Sequence, residues 1–272
     1  MYNGKLLAEG LKSLDPSAKL FYYELTDSTN TRALEYIRSL PESEEKALSY
    51  PTVFLADAQT LGRGRRGMSF VSKGGEGIFV TLVFRPESQS DLQKVTAKCA
   101  VALRRALKKT ADIDGKIKWV NDLYAGPDGE EKKLCGILAE AVTENGRVKA
   151  VAVGIGINVY KEAITEEIAD VATSVEDVTG KRIKREDILL SLTEEFYAKE
   201  DEEKTLAEYK SASLTLGRNV TVIPHLGEPY SGFAEEISED YSLLVLKDGG
   251  ERVRIFSGEV STKIEKTPKG KI

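Results

Sequence analysis

Six consecutive residues, Gly62-Arg63-Gly64-Arg65-Arg66-Gly67, combine three arginines with three glycines. Glycine lets backbone N–H groups approach a ligand closely and adopts φ angles that other residues avoid. Arginine presents a planar fork that matches phosphate or carboxylate. Three guanidinium groups this close repel one another unless an anion lies among them. The segment therefore has three readings: a solvated loop, a nucleic-acid contact, or a loop that meets a small anionic ligand. The chain as a whole argues against nucleic acid. Acidic residues outnumber basic ones 44 to 39 and the net charge is −5, whereas a nucleic-acid binder shows a basic face.

Other segments carry polar groups where they can meet a ligand. Lys118-Trp119-Val120-Asn121-Asp122 ends an apolar run with an amide and a carboxylate. These two residues either cap a turn or contact a ligand or metal, and Trp119, the only tryptophan, suits core packing. Lys132 and Lys133 precede the apolar Leu134-Cys135-Gly136-Ile137-Leu138, as an edge charge pair or as a lysine placed to reach an anion. In Gly154-Ile155-Gly156-Ile157-Asn158, glycines alternate with isoleucines. Glycine weakens a strand, so it marks close approach of a ligand or another backbone. The single histidine, His225, has no serine or cysteine partner for a triad and reads as structural. Cys99 and Cys135 give neither a disulfide framework nor zinc spacing, so both read as buried small hydrophobes in a reducing cytosol. No tight structural metal site is expected.

The elements that must position these groups follow from periodicity. Ala33, Leu34, Ile37 and Leu40 share one face of a helix over 31–40, with Asp27, Ser28 or Thr29 as its N-cap. Residues 51–60 and 77–86 read as buried strands, and 91–110 as a long amphipathic helix. Residues 116–120 read as a short strand running into a turn over 121–129. Two β-rich runs within 133–159 flank Glu144-Asn145-Gly146 as a hairpin, and 185–200 read as a helix. After about Ser213, four short strands at close spacing predict a small all-β module. Hairpins with helices, rather than steady βαβ alternation, predict an α+β layer with a largely antiparallel sheet instead of a Rossmann fold, and there is no P-loop. A charged N-terminus does not read as a signal peptide, and no apolar run approaches the ~20 residues of a membrane span. A cytoplasmic protein with no membrane partner is expected.

Together the segments Asp27-Ser28-Thr29-Asn30, 56–67 (ADAQTLGRGRRG), 118–124 (KWVNDLY), 133–138 (KLCGIL) and 154–159 (GIGINV) resemble, in order and spacing, the biotin–protein ligases. The resemblance implies a mixed, largely antiparallel sheet flanked by helices, of the class II aminoacyl-tRNA synthetase-like type, over 1–215. A small SH3-like β-barrel over 216–272 completes that arrangement. It implies ATP-dependent activation of biotin as biotinyl-5'-AMP with Mg²⁺, then transfer to a lysine of a biotin carboxyl carrier protein. Ser28, Thr29, Asn30 and Gln59 would line the biotin pocket. Arg63, Gly64 and Arg65 would belong to a loop that closes on biotin and the acyl phosphate. Lys133 would contact carboxylate or phosphate oxygens. Phe70, Asn121 and Asn158, with Arg65, would meet the adenylate, and Asp122 would be the acid beside the reacting centre.

Two positions depart from the family pattern: Val120 stands where proline is frequent, and Phe70 where tryptophan is frequent. Only about 20 residues precede the first predicted strand, too few for a three-helix DNA-binding module, so no operator binding is expected. A homodimer is compatible with the resemblance. The competing readings are a lipoate or octanoate ligase of related fold, and a non-catalytic module that senses biotin or binds nucleic acid.

Overall fold

The computed structural model describes residues 1–64, 70, 74–86, 92–199, 201–224 and 227–262. Helix α1 (Gly4–Leu14) has no counterpart in the sequence reading; it buries Leu7 and Leu11, and Asn3 caps it by accepting from the Leu6 amide. Strand β1 (Lys19–Thr26) leads into helix α2 (Thr29–Ser39), whose N-cap is Ser28 and whose buried face holds Ala33, Leu34 and Ile37 as the periodicity predicts. A 3-10 helix (Glu42–Ser49) follows, then β2 (Thr52–Gln59), β3 (Gly77–Phe84) and the long helix α3 (Leu92–Ala111). Next come β4 (Lys116–Lys118), β5 (Asp122–Ala125) and the hairpin of β6 (Lys132–Glu144) with β7 (Arg147–Asn158). Helices α4 (Val175–Thr179), α5 (Arg185–Tyr197) and α6 (Glu202–Ser211) complete the first part.

The strands form a seven-stranded sheet in the order β1-β2-β3-β7-β6-β5-β4. Among its named strand pairs only β1–β2 is parallel, so the sheet is mixed and largely antiparallel. Its two faces differ by residue parity. Val151, Val153, Ile155 and Ile157 of β7 join Ile78, Val80 and Leu82 of β3 in a core beneath α3 and α5. Each such fully buried side chain stabilises by about 1.5–3 kcal/mol. The other parity of β7, Ala150 and Ala152, packs under Ala33, Leu34 and Ile37 of α2, and then continues as Gly154 and Gly156.

One expectation fails locally. The predicted strand over 116–120 stops at Lys118, and the predicted turn over 121–129 begins as strand β5. In Asp122–Ala125 the positions alternate, with Leu123 and Ala125 buried; this period of two outweighs the breakers, which act only from Gly126 onward. The Trp119–Val120 peptide between the two strands is cis. Trp119 is buried, as core packing requires, and its Nε1 donates to Tyr241 O at 2.8 Å.

Strands β8 (Asn219–Ile223), β9 (Tyr230–Ile237), β10 (Leu243–Lys247), β11 (Arg252–Ile255) and β12 (Glu259–Thr262) form a second, antiparallel sheet in the order β11-β10-β9-β8-β12. Among the described residues β11 and β12 are its edges. The expected SH3-like barrel is thus an open five-stranded sheet, its last two strands only four residues each. His225 lies outside the described residues. Leu214 N donates to Ile117 O at 2.7 Å where the chain passes between the sheets, and Tyr209 OH donates to Val120 O. The apolar core runs on into Val220, Val222, Ala234 and Leu243.

Candidate active site

Where β7 turns from alanines to glycines, the first turn of α2 gives way to an open cleft. Ser28, Thr29, Asn30, Gln59, Arg63, Gly64, Phe70, Asn121, Asp122 and Lys133 all border it, with Gly136, Gly154 and Gly156 as its floor. The register explains the convergence. Parallel pairing sets Thr26 beside Gln59, so the start of α2 meets the end of β2. Antiparallel pairing sets Gly136 opposite Gly156 and opposite Asp122. The glycines are required by close approach. A Cβ on Gly154 would collide with the Asn30 amide, and one on Gly156 would lie 2.6 Å from the Phe70 ring. One on Gly136 would lie 3.3 Å from Lys133 Nζ.

The wall at α2 is a hydrogen-bond chain. Thr29 N donates to Gln59 Oε1 at 2.8 Å, and the Thr29 hydroxyl is 3.2 Å from the same oxygen. The Thr81 hydroxyl lies 2.8 Å from Thr29 Oγ1 and 2.7 Å from Asn30 Oδ1. Asn30 Nδ2 donates to Leu138 O and to Glu140 Oε2, the latter at 2.9 Å. Arg63 Nη2 donates to the other Glu140 oxygen at 2.7 Å. Asn30 is thus buried and committed to scaffold contacts. Ser28, although it sits at the N-cap, makes no side-chain cap hydrogen bond. Its neighbour Asp27 accepts from the Ser28 amide and from the Arg32 guanidinium, which holds the Asp27 carboxyl below the usual carboxylate range.

The opposite wall is ionic. Lys133 Nζ lies 2.9 Å from Asp122 Oδ2, while Asp122 Oδ1 is buried with no hydrogen-bond partner. Asn121 clips this strand end in place: its Nδ2 donates to Ile137 O and its carbonyl accepts from Ile137 N. A bulge between Leu123 and Tyr124 shifts the β5–β6 register next to Lys133. Burial draws Lys118 below its ordinary value, against the pull of Asp122. Burial also pushes the Tyr124 hydroxyl up to about 12, with the Asp122 charge adding to it. Burial raises both cysteine thiols as well, so neither is a ready nucleophile.

Not every predicted residue meets the cleft. Asn158 is buried at the end of β7, where its Nδ2 donates to Thr173 O at 3.1 Å, and it does not line the cleft wall. Arg65 and Arg66, and with them the closing part of the basic loop, lie outside the described residues. Two residues that sequence reasoning passed over hold the wall together, Thr81 and Glu140. Both had a signal. Thr81 is the one polar side chain in the apolar run Ile78–Phe84, and Glu140 shares the parity of Gly136 and Leu138.

Chemically, the cleft offers amide and hydroxyl groups at one end and a lysine–carboxylate pair at the other. That arrangement suits a small polar ligand bearing an acid that must be handled near a cation. The sequence model of the biotin/lipoate A/B protein ligase family matches residues 22–158, and the chain belongs to that family. It is 34% identical over 186 residues to the bifunctional ligase/repressor BirA of Bacillus subtilis, covering 66% of this chain and 53% of that protein. It is 30% identical over 218 residues to the biotin–[acetyl-CoA-carboxylase] ligase of Mycobacterium tuberculosis, covering 76% and 77% of the two chains. The biotin protein ligase of Aquifex aeolicus in complex with biotin and ATP superposes with a TM-score of 0.73 at 29% identity. That match covers 89% of this chain and 97% of the other. The chain spans about half the length of the two Bacillus BirA relatives it matches and 68% of the Escherichia coli one.

Proposed function

We propose that this chain activates biotin with ATP and transfers the biotinyl group to a lysine of a biotin carboxyl carrier protein. The observation that carries this reading is the meeting of Ser28, Thr29, Gln59, Arg63, Asp122 and Lys133 around one cleft. Relatives named as biotin ligases support the choice of substrate. In the first step an oxygen of the biotin carboxylate attacks the α-phosphorus of ATP. The bond to the β,γ-phosphates breaks, and pyrophosphate leaves. Lys133 binds carboxylate and phosphate oxygens and stabilises the charge that gathers there. The hydroxyl and amide groups of Ser28, Thr29 and Gln59 orient the ureido ring. Phe70 and Asn121 border the adenylate, a contact that the family resemblance assigns to Arg65 as well.

In the second step the carrier amine attacks the acyl carbon, the C–O bond to AMP breaks, and the amine loses a proton. A lysine of ordinary pKa is only ~0.1% neutral near neutral pH, a handicap of roughly 4 kcal/mol. On this reading the Asp122 carboxylate, which borders the cleft beside Lys133, accepts an N–H from that amine. Among the described residues no group of three His, Cys, Asp or Glu side chains gathers to hold a metal. We therefore assign Mg²⁺ to the nucleotide phosphates, whose charge it screens.

The same reading places the protein in the cytoplasm, and no helix among the described residues is long and apolar enough to cross a membrane. It admits a homodimer. It includes no DNA partner, consistent with a net charge of −5. The test is biotin-dependent ATP–pyrophosphate exchange with lipoate as competitor. Exchange with biotin and none with lipoate is expected; exchange with lipoate alone would overturn the assignment.

A further inference from the structure

Among the described residues each cation that borders the cleft is paired with a carboxylate: Lys133 with Asp122 and Arg63 with Glu140. The second pair differs in what else it holds. One Glu140 oxygen accepts from Arg63, and the other from the Asn30 amide. Glu140 thereby joins the first residues of the basic segment to the buried wall at α2. Its side chain stands on the same face of β6 as Gly136 and Leu138, directly beside the cleft floor.

The donor and acceptor count shows what this carboxylate decides. Asn30 Nδ2 has two protons, given to Leu138 O and Glu140. Its Oδ1 must then face Thr81, whose single hydroxyl proton it can accept. With that proton committed, Thr81 Oγ1 accepts from the Thr29 hydroxyl 2.8 Å away, and Gln59 Oε1 accepts from the Thr29 amide at 2.8 Å. Gln59 is thereby held with its oxygen toward α2 and its NH₂ turned the other way. An ionised carboxylate accepts and does not donate, so Glu140 meets the Asn30 NH₂ with one oxygen and the Arg63 guanidinium with the other, in the sense that Leu138 O also requires of Asn30. A neutral amide in its place has one oxygen and can accept from only one of these two donors without turning its own NH₂ against the other.

We propose that Glu140 is a positioning residue of the site. It holds the Asn30 amide in the polar wall, where Thr81 bonds to it, and it anchors Arg63. Arg63 on this account holds the loop's start to the floor, and the anion is met by Lys133. The proposal rests on the biotin-activation reading for the identity of its ligand, though not for the hydrogen-bond relay itself.

Two measurements test it on the full chain. In biotin-dependent pyrophosphate exchange, Glu140→Gln should raise KM for biotin about tenfold or more while kcat changes less than about threefold, because a mis-set polar wall is felt in binding. Glu140→Asp should recover part of the loss, and Arg63→Ala added to Glu140→Gln should add little. An unchanged KM in Glu140→Gln would overturn the proposal, as would an equal fall in kcat. Loss of exchange in the unsubstituted protein would instead defeat the functional reading. Independently of activity, the Asn30 side-chain NH₂ should exchange with solvent hydrogen at least about tenfold faster in folded Glu140→Gln than in the parent. Equal exchange rates would overturn the relay even if the ligand proved not to be biotin.

Discussion

The two parities of strand β7 do different work. Val151, Val153, Ile155 and Ile157 face α3 and α5 and disappear into a dry core. Ala150, Ala152, Gly154 and Gly156 face α2 and shrink toward the cleft, where the place of side chains is taken by Asn30 and Phe70. One face therefore stabilises the sheet and the other makes room on it. Substitution of the first face should change stability with little effect on ligand affinity, and substitution of the second should do the reverse.

The largest effect is expected on the dry face. Ile157→Ala should cost about 2–5 kcal/mol of stability through lost burial and a residual cavity, while the biotin KM of the folded fraction stays near its parent value. Chemical denaturation alongside exchange kinetics checks this, and a change confined to KM would erase the distinction between faces. On the cleft side, Lys133→Ala should slow adenylate formation about a hundredfold, near 2.7 kcal/mol of transition-state stabilisation. Its half-exposed ion pair with Asp122 contributes less than about 1 kcal/mol to folding. Unchanged exchange in Lys133→Ala would remove the ionic wall from the mechanism.

Gly154→Ala carries a smaller but more diagnostic expectation. The added methyl meets the Asn30 amide, which cannot withdraw without leaving Leu138 O, Glu140 or Thr81. Overpacking of this kind costs about 1–3 kcal/mol, and here the biotin KM should rise with it. A stability loss with unchanged KM would mean that the polar wall is not what the ligand reads.

How far this division was legible in the sequence depends on the residue. The apolar face of α2 and the hairpin of β6 and β7 followed from periodicity, because every position obeyed the same rule. The glycines of 154–158 announced a close approach, yet not that Asn30 and Phe70 would be the groups approaching. Glu140 and Thr81 escaped notice because their partners lie on other strands and helices, brought near only by sheet register. Strand β5 was hidden by its length of four residues and by the glycine and proline that follow it. Helix α1 was masked by a charged sequence whose packing depends on α5, more than 170 residues away. The tryptophan read as core does pack, but its N–H reaches Tyr241 in the turn between β9 and β10, a contact no local pattern encodes.

The smallest effect concerns pH at the start of α2. The Arg32 guanidinium holds the Asp27 carboxyl below its usual range. A group whose folded pKa is depressed adds stability above its unfolded pKa of about 4, and this is lost as pH falls through the folded value. Arg32→Gln should therefore be slightly less stable than the parent at pH 7, because the pair is partly exposed. The gap should narrow once Asp27 is protonated in both. A gap of constant size down to strong acid would mean that the pair acts by packing instead of charge.

The central claim is that the cleft activates biotin and delivers it to a protein lysine. Incubation with biotin, Mg-ATP and a biotin carboxyl carrier domain, followed by intact-mass analysis of the carrier, tests it most directly. A carrier heavier by one biotinyl group is expected, with the group on a single lysine and absent without ATP. A carrier of unchanged mass, in a reaction where the folded protein and ATP are both present, would contradict it.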